Sequence, residues 1–320
     1  MNVMAPIRFK PVYQSYLWGG RTMVERYARS DAPGAGPVAE SWEVSDRPDG
    51  MSVADGAAWN GATLRALIAA NPETVLGRTA RDVFPLLIKL IDARETLSVQ
   101  VHPDDASAAA GLGEAKSEAW YVLAAEPGAC VYHGFLPGVT REAAEKGCFD
   151  GSVASLMRRI PVSPGEIIYV PGGTVHAIGA GCLLLEVQQN SNTTFRIFDW
   201  NRVGPDGKPR ALHLEQARQV IRWETPESHS PSEDGRCVTP YFSIEPRELG
   251  KRALSLADPL KGFTVVFVEE GPVRWQWADG EIEAAPGTTW LFPAALRKIK
   301  VARVADVPGR IVIIRGSRAG

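Results

Sequence analysis

The chain has 320 residues, with 35 Lys and Arg against 37 Asp and Glu for a net charge of −2. That balance supplies no global field to recruit nucleic acid or an anionic membrane, so an anionic substrate must be held by local Lys and Arg. Hydrophobic residues at 45% and charged residues at 22% are ordinary for a globular protein long enough for two domains.

Residues 1–10 contain no apolar core of a secretion signal, and no stretch approaches the ~18 apolar residues of a membrane span. A cytoplasmic protein is expected. Its four cysteines, Cys130, Cys148, Cys182 and Cys237, lie far apart without a C-x-x-C pair and read as thiols of a reducing compartment.

In chain order, Leu64, Leu67 and Ile68 form the apolar stripe of a short helix. Strands are expected at 86–91, 96–101, 119–123, 167–170, 182–188 and 195–198. Asp104 and Asp105 read as caps of a helical stretch over 106–110. Val153, Leu156, Met157 and Ile160 recur at helical spacing and predict a helix, as does 213–221. The turns Glu126-Pro127-Gly128, Ser163-Pro164-Gly165 and Pro171-Gly172-Gly173 separate the strands. Many short strands and few helices predict a mainly β protein of sandwich or jelly-roll type.

A phrase recurs: PGEIIYVPGGTVHAI at 164–178 and PGTTWLFPAALRKIK at 286–300. Each has a turn, a short apolar strand and a closing proline, which predicts two copies of one β-barrel unit. The polar stretch 224–236 has linker composition, so the expected domains are 1–235, bearing the chemistry, and 236–320, a degenerate copy.

Chemistry concentrates in Gln100-Val101-His102-Pro103, in Glu118 sixteen positions after His102, and in His176. On an extended segment Ser98, Gln100 and His102 leave one face. A glutamine, two histidines and a glutamate make a site for a divalent metal, with zinc, manganese, iron and cobalt all open. The second copy lacks these groups: Lys298 stands five after Pro293 as His176 stands five after Pro171, and Lys261 is ten before Gly271 as Glu118 is ten before Gly128. The other histidines, His133, His213 and His229, read as turn, helix terminus and linker.

The phrases LSVQVHPDD (97–105), KSEAWYVL (116–123), VPGGTVHAIGAG (170–181) and LEVQQNSNTTFRIFDWNR (185–202) closely resemble the type I mannose-6-phosphate isomerases. YLWGG (16–20), AESWEVS (39–45), FPLLIKLIDA (84–93) and GKPRALHLEQA (207–217) extend the resemblance over essentially the whole chain, in the short bacterial form. It implies two cupin β-barrels and one zinc on Gln100, His102, Glu118 and His176, with other divalent metals open. It places the family's catalytic arginine on Arg196 and a carboxylate for proton transfer on Glu186. Lys116 and Ser98 fall on positions associated with substrate or phosphate binding, and Lys89 is a further phosphate candidate. The implied reaction interconverts mannose 6-phosphate and fructose 6-phosphate through a cis-enediol. The expected partner is a small sugar phosphate, with neither nucleic acid nor membrane, in a monomer or homodimer. Two alternatives stay open: a metal-dependent cupin oxygenase, and a non-catalytic sugar-phosphate sensor on the same fold.

Overall fold

The computed structural model describes residues 5–317 apart from 57–58, 60, 78–81, 205–206, 224–234 and 257–261. Four antiparallel sheets dominate. A six-stranded sheet runs Ile167–Val170, Glu118–Ala125, Cys182–Gln189, Leu86–Ala93, Glu40–Val44, Val12–Gln14. A five-stranded sheet runs Phe195–Phe198, Val99–Val101, His176–Ile178, Cys130–Phe135, Met157–Pro161. These two form the first barrel, closed over a core that includes Trp120, Val122, Val131, Ile178 and Leu184. The second barrel pairs a seven-stranded sheet with a four-stranded one, closed over Val266, Trp275, Phe292, Val301 and Ile313.

Strand alternation explains how the barrels stack. On Glu118–Ala125 the residues Ala119, Tyr121 and Leu123 join one apolar cluster, whereas Trp120 and Val122 face the first barrel's interior. On Thr264–Glu270, Val265 and Phe267 join the same cluster as Tyr121, while Val266 and Val268 face the second interior. The six- and seven-stranded sheets therefore pack back to back over a shared apolar layer, each large side chain contributing about 1.5–3 kcal/mol by leaving water. Both faces of these strands are buried, so they read as continuous apolar runs.

The seven-stranded sheet also takes Ile7–Lys10 and Val53–Asp55 from the N-terminal part of the chain. Two contributors to the second barrel's sheet thus precede the expected boundary, most of which (224–234) lies outside the described residues. Helices Arg141–Asp150 and Leu214–Val220 cover the outer face of the five-stranded sheet through Ala144, Cys148, Ala217 and Val220. Among the described residues no helix is long and apolar enough to cross a membrane. All four cysteines are free and buried.

The helices at Leu64–Ala70 and Leu214–Val220 agree with expectation, and Asp104 caps Asp105–Ala109 by accepting from Ser107 N at 2.7 Å. The helix expected over 153–160 is instead a 3-10 turn, Val153–Leu156, followed by the strand Met157–Pro161. The true helix lies just before it, Arg141–Asp150, started by Thr140 and ended by Gly151 in the left-handed region. It buries only Ala144, Gly147 and Cys148, too small a face to show as a stripe.

Candidate active site and metal centre

Three segments of the first barrel bring the expected ligands together. Glu118 opens its strand between Val170 and Gln188; His176 pairs across with Gln100 on one side and His133 on the other. His102 directly follows Val99–Val101. One ligand atom each from His102, Glu118 and His176 lies within 4.8 Å of the others, and all three residues are buried.

Hydrogen bonding fixes what these atoms present. His102 Nδ1 is 2.8 Å from the Thr193 carbonyl and His176 Nδ1 is 2.8 Å from the Thr174 carbonyl. A carbonyl only accepts, so each Nδ1 carries the proton and each Nε2 offers a lone pair. Those Nε2 atoms stand 3.5 and 3.3 Å from the Glu118 oxygens. Burial lowers the pKa of both rings, His176 to about 3, so the imidazoles are neutral and these contacts are not ion pairs. Burial, then the charge of Glu186, push the Glu118 carboxyl up against the pull of Lys116 and Lys89.

Glu118 Oε1 is buried with no hydrogen-bond partner among the described residues. Lone pairs from two imidazoles and a carboxylate converge on one point, an arrangement that a divalent cation stabilises. The backbone carbonyls behind the rings set their tautomers as partners of metal-binding histidines do. The centre fits a metal.

Gln100 stands beside this triad, its Nε2 3.3 Å from His176 Nε2. Rotating the amide by 180° would place Oε1 there. Lys116 Nζ lies 2.7 Å from Glu118 Oε2 and 3.1 Å from His102 Nε2. The remaining expected residues line an adjoining cleft of about 250 Å³: Lys89, Ser98, Gln100, Lys116, Glu186 and Arg196.

Within this cleft Glu186 accepts from Trp120 Nε1 at 2.9 Å and lies 3.2 Å from Lys89 Nζ. Burial raises its pKa, but Lys89 and Lys116 outweigh that and the net shift is downward, so Glu186 is ionised. Lys89 also sits 3.4 Å from Glu40 and 5.5 Å from the centre of the Trp42 ring. Arg196 pairs across from Gln100, and its Nη1 donates to the Ala211 carbonyl at 2.9 Å.

Sequence reasoning assigned no role to Tyr16, Trp18, Glu40 or Arg210, which also line the cleft. All four lie within phrases that carried the resemblance, so the signal was present without a geometry to interpret it. His213 stands at the start of its helix as expected and accepts from Arg196 N at 3.1 Å; His133, expected in a turn, is buried in Cys130–Phe135. His229 lies outside the described residues.

A family model described as phosphomannose isomerase type I, catalytic domain, matches residues 7–128. Mannose-6-phosphate isomerase ManA of Bacillus subtilis is 35% identical over 317 residues, covering 94% of this chain and 97% of that one. The chain belongs to the type I mannose-6-phosphate isomerase family. A mannose-6-phosphate isomerase of Streptococcus mutans is 37% identical over 228 residues, 71% of each chain. Among solved structures, the mannose 6-phosphate isomerase from Bacillus subtilis superposes with a TM-score of 0.83 at 27% identity, covering 97% of this chain and 99% of that one. A mannose 6-phosphate isomerase bound with zinc and yttrium shares the fold at a TM-score of 0.76 and 18% identity, covering 98% and 99%. Both of these structures are of mannose 6-phosphate isomerases; the chain is an isomerase of cupin architecture with a centre that fits a metal. Neither the oxygenase nor the sensor reading is favoured.

Proposed function

We propose that the protein interconverts mannose 6-phosphate and fructose 6-phosphate, with zinc held by His102, Glu118 and His176 and by Gln100 through its amide oxygen. The observation that carries this reading is the convergence of two tautomer-locked imidazoles and an unpartnered carboxylate oxygen beside a cleft that contains Glu186 and Arg196. Bound there, zinc supplies Lewis acidity toward the sugar's oxygens, an effect of several kcal/mol on the transition state.

The chain's own groups supply the rest. Glu186 Oε1, ionised and held beside Lys89, takes the proton from C2 of the open-chain aldose. The C1–C2 double bond forms as the carbonyl electron pair moves onto O1, giving a cis-enediolate. Arg196 stabilises the negative oxygen from the neighbouring strand. Returning the proton to C1 and shifting a hydroxyl proton from O2 to O1 yields the ketose. Lys116, Ser98 and Lys89 hold the sugar's oxygens along the floor, and Trp18, Ile91, Leu97 and Ile178 make the wall that restricts water.

We further assign the chemistry to the part of the chain before residue 236 and a structural role to 236–320, in a monomer or homodimer. An assay that couples fructose 6-phosphate formation to a reductive readout tests the function. Turnover of mannose 6-phosphate that disappears with a chelator and returns with zinc is expected; zinc-replete protein without turnover would contradict it.

A further inference from the structure

The reading above leaves Arg210 at the cleft without a role, although it lines the same cavity as Arg196. Arg210 gives Nε and Nη2 to the two oxygens of Asp199 at 2.7 and 2.6 Å, a bidentate pair that leaves Nη1 outside it. Asp199 is buried and also accepts from Arg202 Nη2 at 2.5 Å. One carboxylate therefore fixes two guanidiniums in place. The third, Arg196, is strapped to the carbonyl of Ala211, the residue after Arg210, and its Nε is buried with no hydrogen-bond partner among the described residues.

The charges do not cancel. Three permanent cations surround Asp199, and the only other carboxylate paired with them among the described residues is Glu95, mostly exposed and 3.7 Å from Arg202. Burial first, then the charge of Arg210, press the Arg196 pKa down while Asp199 opposes them. Lys89 and Lys116 present the opposite case, because their ammonium groups are already matched by Glu40, Glu186 and Glu118. A dianion entering the cleft finds uncompensated charge at the arginines rather than at the lysines.

We infer that Arg210, oriented by Asp199, is a specificity-determining residue that seats the phosphate of the sugar phosphate, leaving Arg196 to the enediolate. The inference rests on the isomerase reading and deepens it. A guanidinium fork suits phosphate geometry, and Asp199 holds it ready so that little side-chain entropy is lost on binding. Arg210 lines the same cleft as Gln100 and Glu186, so a phosphate seated on it belongs to the molecule whose carbons meet them.

The test is calorimetric titration of inorganic phosphate into the zinc-loaded protein, alongside steady-state kinetics on mannose 6-phosphate. In Arg210→Met, phosphate affinity should fall about ten- to hundredfold and KM should rise in step, while kcat changes less than about threefold. Arg210→Lys, which keeps a charge for Asp199 but loses the fork, should fall between the two and serves if the methionine variant does not fold. Unchanged phosphate affinity and KM, or a loss confined to kcat, would overturn the inference. If the unmodified protein binds phosphate with this dependence on Arg210 yet turns over no mannose 6-phosphate, the phosphate seat stands and the isomerase reading falls.

Discussion

The two barrels share a hairpin geometry and differ in what they enclose. In the first, Gly165 N donates to the Val122 carbonyl and Val122 N to the Glu166 carbonyl; in the second, Gly287 N donates to Val268 and Val268 N to Thr288. Following the ladders from these matched turns aligns Glu118 with Thr264, Trp120 with Val266, and Glu186 with Ile313. Lys89, the cross-strand partner of Glu186, corresponds to Glu245, the cross-strand partner of Ile313. The first barrel places charges that must be paired inside, whereas the second has Thr264 and Ile313 where the first has Glu118 and Glu186, and closes over Val266, Trp275 and Phe292. One packing scheme thus carries buried charges in one copy and an apolar filling in the other. A buried ionised set is hard to justify as a stabilising device, since apolar residues of similar volume usually do as well or better.

The contrast can be broken from either side. The largest effect is expected for His176→Ala, which should abolish metal retention and lower turnover by more than about a thousandfold, as read by metal analysis and the coupled assay. Lys298→Ala, at the corresponding point of the repeat, should spare both. Next, Glu186→Gln should cut kcat by about 10²–10⁴-fold while zinc stays bound, because the proton acceptor is lost and the ligands are not. Importing the first barrel's chemistry into the second should fail: Ile313→Glu would bury a carboxylate beside Glu245 and cost about 3–5 kcal/mol in denaturant melts. The smallest effect is expected at the layer between barrels, where Tyr121 Oη donates to Glu269 at 2.7 Å. Tyr121→Phe should cost about 1–3 kcal/mol with kcat unaltered, since it strips a buried carboxylate of its donor.

Much of this contrast was legible in the sequence, and the exceptions have physical causes. Gln100, His102, Glu118 and His176 could be grouped because few histidines occur and each lies beside a strand signal. The equivalence of Lys298 with His176 used a turn and a proline that recur at fixed spacing. Counting from Gly128 and Gly271, by contrast, leads to Lys261, which lies outside the described residues, whereas strand pairing gives Thr264. The slip arises in the hairpins: residues 126–129 connect the strands in the first barrel, and only 271–272 do so in the second. Loop length varies where little packs against it, so register is secured by the ladder rather than by spacing. Asp199 and Arg210 escaped notice for a related reason. They stand eleven positions apart, outside the named strands and helices, so no strand or helix period links them.

Only the first barrel is expected to hold a catalytic metal. Titrating zinc into chelated protein while recording mannose 6-phosphate turnover tests it most directly. Activity should rise from near zero and saturate at one zinc per chain. Turnover that survives metal removal, or saturates only at two zinc ions per chain, would contradict it.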